Sequence, residues 1–151
     1  MTHVCFVCTG NICRSPMAES VLRAKLAEEG IEGVTVSSAG IGPWHAGEPM
    51  DERAAAVLAE AGYDDEHRAA QVNPNHIEAD LLLAMDSGHR RALLRATDPG
   101  RVRLFRSFDP LAGETAAEVP DPYYGGEHGF TELLACIERC MPGLLEWIRT
   151  A

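Results

Sequence analysis

No apolar run in the 151 residues approaches the 18 or so that a membrane span needs. Nor does a secretory leader precede the first strand pattern, which begins directly after Met1-Thr2-His3. A basic excess is missing as well. The 13 Lys and Arg stand against 23 Asp and Glu, a formal net charge of −10, which argues against nucleic acid or an anionic membrane surface as a partner. The six histidines show no ligand spacing, so no metal is assigned. Cysteine occurs five times, an odd number, and without a leader these read as reduced thiols in a cytoplasmic protein. Neither linker composition nor an internal repeat divides the chain, which at this length forms one domain, residues 1–151, with room for a full core.

What is present alternates between strand and helix patterns. Val4–Val7 reads as a first strand, and a helix follows from Pro16 to Glu29 with Ala18, Val21, Leu22, the Lys25 stem and Leu26 on one face and Gly30 as its stop. Val34–Ser38 is a second strand. A Gly- and Pro-rich loop carrying Trp44 leads to a helix that opens at Met50 or Asp51 and ends at Ala61. Asn73-Pro74 starts a short helix, Asp80–Met85 is a third strand buried on both faces, and Ser87 caps a helix reaching Ala96. Val102–Phe105 is the fourth strand, and a long irregular stretch runs from Arg106 to Gly129. In the last helix Phe130, Leu133, Leu134, Ile137, Met141, Leu144, Leu145 and Ile148 form one stripe that stays in phase across Pro142-Gly143, a kink rather than a stop. Such alternation predicts an α/β fold: a parallel sheet with helices on both faces, and a ligand site at the carboxyl ends of the strands.

The first strand runs straight into Cys8-Thr9-Gly10-Asn11-Ile12-Cys13-Arg14-Ser15. Gly10 and Asn11 tolerate the left-handed dihedrals that turn successive N–H groups inward. Ser15 as N-cap and Pro16 as first helical residue aim the positive end of a helix into the loop, and Arg14 adds a fork for an oxyanion. Cys8 is a nucleophile placed under that anion, where these dipoles and the guanidinium favour its thiolate over its thiol. Attack on phosphorus would give a phosphocysteine, with Ser15 Oγ hydrogen-bonding the sulfur as it leaves.

Elsewhere the local patterns leave alternatives open. Asp121-Pro122-Tyr123-Tyr124 is either a solvated turn or the source of a proton for a leaving oxygen, walled by two aromatic rings. Cys5 and Cys8, three apart on a strand, face opposite ways and cannot easily share a metal or a disulfide. Cys136 and Cys140, one helical turn apart, read as packing residues.

The segment Val4-Cys5-Phe6-Val7-Cys8-Thr9-Gly10-Asn11-Ile12-Cys13-Arg14-Ser15-Pro16-Met17-Ala18-Glu19, together with Asp121-Pro122-Tyr123-Tyr124, closely resembles the low-molecular-weight protein tyrosine phosphatases. That resemblance implies a flavodoxin-like sandwich with a four-stranded parallel sheet. It implies Cys8 as nucleophile, Arg14 as phosphate clamp and Asp121 as general acid and then base, with no cofactor and no metal. Thr9, Gly10, Asn11, Ile12, Cys13, Arg14 and Ser15 would form the phosphate loop. Asn11, Ser15, Ser38, His67 and Asp86 would support it, and Ile12, Trp44, Tyr123 and Tyr124 would line the aromatic slot. The implied partners are phosphotyrosine-containing proteins, with inorganic phosphate or vanadate as ligands of a monomer. Arginine phosphatases resembling this family carry Thr where Ile12 stands. Arsenate reductases of the same fold relay through mid-chain cysteines, and no cysteine lies between Cys13 and Cys136. Cys13 is either a loop-packing residue or a disulfide partner that shields Cys8 from over-oxidation.

Overall fold

The computed structural model describes residues 1–112, 118–122 and 127–151, with the side chains of residues 127 and 128 left out. Four strands, β1 (Thr2–Cys8), β2 (Val34–Gly40), β3 (Leu81–Ala84) and β4 (Val102–Leu104), form one sheet in the order β2-β1-β3-β4 with every pairing parallel. The register sets Val4 beside both Val36 and Leu81, and Leu82 beside Val102. The chain leaves β1 for one edge and returns for the other, so the strand order reverses between β1 and β3. Parallel α/β sheets bind ligands at that crevice, and Cys8 is the last residue of β1.

Among the described residues five α-helices complete the fold: α1 (Arg14–Glu28), α2 (Glu52–Glu60), α3 (Pro74–Ile77), α4 (Ser87–Leu94) and α5 (Glu127–Thr150). The two-residue period of β1 divides the core. Val4, Phe6 and Cys8 join Met17, Val21 and Leu22 of α1 and the stripe of α5 in the larger cluster, where Phe6 and Phe105 meet edge to face at 5.1 Å. Cys5 and Val7 join Leu82, Leu93 and Val102 on the α4 side. The two cysteines of the C-x-x-C thus face opposite layers. Burial pushes the Cys5 thiol up to about 12.

All eight residues of the α5 stripe are buried, and the chain stays helical through the exposed Pro142 because both halves cover the same core. Some boundaries differ from expectation. β2 continues to Gly40, pairing with β1 over its full length. β4 ends at Leu104, because Phe105 turns into a 3₁₀ segment (Phe105–Phe108) that drops its ring against Phe6. α5 begins at Glu127, inside the stretch expected to be irregular. Among the described residues no helix is long and apolar enough to cross a membrane.

Candidate active site

From Cys8 the chain turns sharply toward α1, and the turn rests on Asn11. Its φ is +58°, the only positive value among the described non-glycine residues, and its side chain is fully buried. Asn11 Nδ2 donates to Ser15 Oγ at 2.8 Å and Ser38 Oγ at 2.9 Å, while Oδ1 accepts from Ala70 N at 2.9 Å. Ser38 Oγ in turn donates a hydrogen bond to Glu19 Oε1. His67 Nε2 donates to Asn11 O at 2.7 Å, and burial holds its pKa below the ordinary histidine value, so the ring is neutral with its proton on Nε2.

Five of the loop's carbonyls are bonded to groups outside it and so point away from its centre. Cys8 O accepts from Ile41 N (2.9 Å), Thr9 O from Gly42 N (3.1 Å), Asn11 O from His67, Ile12 O from Asp51 N (2.9 Å) and Cys13 O from Met17 N (3.2 Å). A peptide whose C=O points out presents its N–H inward. None of the N–H groups of Thr9 to Cys13 is spent on a protein acceptor among the described residues. The result is a ring of donors, a backbone nest for an anion. A glycine on the neighbouring strand makes it possible. Gly40 lies so close that a Cβ there would sit 2.9 Å from Thr9 O and 3.1 Å from Asn11 N. Gly10 does not take a left-handed dihedral, and a Cβ on it would meet only the end of the His45 side chain, 2.8 Å from Cδ2.

Ser15 is not the cap of α1. The helix starts two residues earlier than expected, at Arg14, with Cys13 at the N-cap position lacking a side-chain bond and Pro16 third in the first turn. Ser15 Oγ instead lies 2.8 Å from Cys8 Sγ. Because it already accepts from Asn11, its proton is left for the sulfur. A similar correction applies to α4. Its cap is Asp86, whose Oδ1 accepts from His89 N at 3.0 Å, and Ser87 is the first helical residue.

Arg14 is buried and held at several points. Nη1 reaches Asp86 Oδ2 at 3.3 Å and Val119 O at 3.1 Å; Nη2 reaches Thr9 Oγ1 and Asp121 Oδ2, both at 3.5 Å. Desolvation raises Asp86, but the backbone N–H of His89 and the hydrogen-bonded Arg14 guanidinium outweigh it and keep Asp86 below the usual carboxylate range. These groups open onto a cavity of about 360 Å³, floored by Cys8, Thr9, Gly10, Cys13 and Arg14 and walled by Ile12, Trp44, His45 and Asp121. Trp44 stands at the mouth, 67% exposed. Cys13 is buried beside the loop, and burial, with the charges of Asp51, Cys8 and Asp121, pushes its thiol up to about 12.

The structure therefore brings together Cys8 to Ser15, Ser38, Trp44, His67, Asp86 and Asp121; Tyr123 and Tyr124 lie outside the described residues. Sequence reasoning missed Gly40, His45, Val119 and His89. Only Gly40 left a signal, a glycine at the end of a strand. Among the described residues no group of three or more His, Cys, Asp or Glu is gathered so as to hold a metal.

Fold and loop define a class: parallel α/β proteins that present a thiol and a guanidinium beneath an anion nest at the end of the first strand. Residues 3–151 match the family model of the low molecular weight phosphotyrosine protein phosphatases, and the chain belongs to that family. It is 52% identical over 148 residues to low molecular weight protein-tyrosine phosphatase A of Mycobacterium tuberculosis, covering 97% of this chain and 91% of that one. A crystal structure of a protein tyrosine phosphatase from Entamoeba histolytica, with Hepes in its active site, superposes with a TM-score of 0.92 at 30% identity over 99% and 98% of the two chains. The Drosophila arginine phosphatase DARP superposes with a TM-score of 0.89 at 25% identity over 98% of each chain. The architecture alone therefore does not choose the phosphorylated side chain.

Proposed function

We propose that this protein hydrolyses phosphotyrosine in proteins, and small aryl phosphates, through a phosphocysteine. The observation that carries the reading is the five outward carbonyls around Cys8, which leave the loop N–H groups to receive the equatorial oxygens of a phosphoryl group with Arg14. Cys8 Sγ attacks phosphorus in line while Asp121 gives its proton to the departing phenolate oxygen. The P–O bond breaks as the S–P bond forms. Asp121, now a carboxylate, takes a proton from water, whose oxygen displaces sulfur and releases inorganic phosphate. Ser15 donates to the sulfur as it departs. Vanadate, with its trigonal-bipyramidal geometry, fills the same nest.

Ile12 and Trp44 support tyrosine over arginine as the substrate side chain. A branched apolar wall and an indole suit a phenyl ring and offer a guanidinium no acceptor. Cys13 lies beside Cys8 in the same cavity floor and serves as its reversible disulfide partner under oxidation. Five free thiols suit a reducing cytoplasm, and the protein acts as a monomer.

The test compares a phosphotyrosine peptide, phosphoarginine and arsenate side by side, with p-nitrophenyl phosphate as the aryl control. Preferred turnover of the tyrosine peptide is expected; preferred turnover of phosphoarginine or arsenate overturns the assignment. Cys8→Ser must abolish turnover, and near-normal activity in that variant removes the covalent step. Asp121→Ala should lose far more rate with a poor leaving group than with p-nitrophenolate.

A further inference from the structure

The third residue of α4 turns an imidazole back under the phosphate loop. His89 is buried, its Nε2 lies 2.8 Å from Thr9 Oγ1, and its Nδ1 lies 3.3 Å from Asp86 Oδ1. The other oxygen of Asp86 accepts from Arg14 Nη1 at 3.3 Å, and Arg14 Nη2 donates to Thr9 Oγ1 at 3.5 Å. Four side chains thus close a ring: Thr9, His89, Asp86 and Arg14. Thr9 directly follows the cysteine, and Arg14 ends the loop.

Donors and acceptors around the ring admit one arrangement. Arg14 only donates and Asp86 only accepts. The carboxylate of Asp86 facing Nδ1 places the neutral imidazole's proton on that nitrogen, so Nε2 accepts from the Thr9 hydroxyl, whose oxygen in turn accepts from Arg14. His89 Nδ1 is the only buried side-chain polar atom described that lacks a formal hydrogen bond; it is close to Asp86 Oδ1 but off the line. Four charged groups face the imidazole: Asp86 at the cap of α4, Arg14 on α1, and Glu118 and Asp121 from the segment after residue 117. Burial outweighs the three carboxylates and, with Arg14, holds His89 below the ordinary histidine pKa, which keeps the ring neutral.

We propose that His89 is a positioning residue of the phosphate site, fixing the Thr9 hydroxyl and, through Asp86, the plane in which the Arg14 guanidinium meets an oxyanion. The role rests on the phosphatase reading, but its test reads anion binding and not turnover. Inorganic phosphate is titrated calorimetrically into wild type, His89→Leu, His89→Gln, Thr9→Val and the Thr9→Val/His89→Leu pair, with thermal melting of each. His89→Leu and Thr9→Val are each expected to weaken phosphate binding about tenfold, the scale of one hydrogen bond tied to a charged group. The pair should lose little beyond either single variant, because both break the same ring. His89→Gln, whose amide oxygen replaces the Nε2 acceptor, should bind phosphate within about threefold of wild type. Phosphate binding in folded His89→Leu equal to wild type overturns the proposal, as do losses that multiply in the pair. Should His89→Leu fail to fold, a Gln variant that binds phosphate as poorly as Thr9→Val overturns it equally. A wild type that binds phosphate yet hydrolyses no aryl phosphate sinks the phosphatase reading and leaves the ring standing.

Discussion

Asn11→Ala removes one small side chain and should damage stability and chemistry together. Three buried hydrogen bonds go, to Ser15, Ser38 and Ala70, at about 1 kcal/mol each. The backbone at φ +58° costs alanine roughly 1 kcal/mol more than asparagine, which tolerates that region. The total is about 3–4 kcal/mol. For a domain of this size each kcal/mol lowers Tm by about 2–4 °C, so a drop of about 10 °C is expected by circular dichroism. Asn11 also orients the Ser15 proton toward Cys8 Sγ. Turnover of p-nitrophenyl phosphate, measured where both proteins are folded, should therefore fall by about tenfold, the value of one charge-assisted bond. Asn11→Gly separates the two costs, because glycine accepts the dihedral without the side chain; it should melt above alanine and turn over equally poorly. A Tm within about 2 °C of wild type in the alanine variant would refute the accounting, and wild-type kcat would refute the path from Asn11 through Ser15 to the sulfur.

Other expectations follow from contacts around the same loop and beyond it. Gly40→Ala should lower kcat/KM by about 100-fold or more, since its methyl meets immovable loop backbone at 2.9–3.1 Å. Gly10→Ala meets only the end of the His45 side chain and should shift KM by a few fold at most; equal effects would show that the loop yields as a unit. Asp109, fully buried and bonded to Arg139, Arg106 and Leu111 N, has its pKa pulled down to about 2. Desolvation opposes that shift but loses to the two guanidinium groups and the backbone N–H. A folded pKa below the ordinary 3.8 means stability that is present above about pH 4 and lost as pH falls through about 2, some 2 kcal/mol in all. Urea denaturation of Asp109→Asn should lack that loss, and parallel acid profiles for the two proteins would contradict it. Iodoacetamide at neutral pH should label Cys8, be blocked by phosphate, and spare Cys5 and Cys13, whose thiols are pushed up to about 12. Labelling of Cys13 at a comparable rate, read by peptide mass, would count against its burial.

Much of this molecule is written in neighbouring residues. A two-residue period sends Cys5 and Cys8 into opposite layers, a 3.6-residue period keeps the α5 stripe in phase past Pro142, and Gly30 and Gly62 stop their helices at positive φ. The strand–loop–helix run from Val4 to Glu19 holds its chemistry locally too, because nucleophile, nest and guanidinium are consecutive. Local rules act over a few residues and therefore cannot choose between two uses of the same one. Ser15 before a proline has the form of a helix cap. Only the buried amide of Asn11 on one side and the sulfur on the other decide that its hydroxyl serves the thiol. Ser87 has the form of a cap as well, yet Asp86 takes that place, and its second oxygen reaches Arg14 across 72 residues. Gly40, Val119 and His89 meet the loop from 30 to 105 residues away. Their approach depends on strand order, because only when β2 and β3 flank β1 do their carboxyl ends converge on it. Asp121 is a plain Asp-Pro turn in the sequence; packing of the segment before it against Arg14 and Met85 brings its carboxylate over the site.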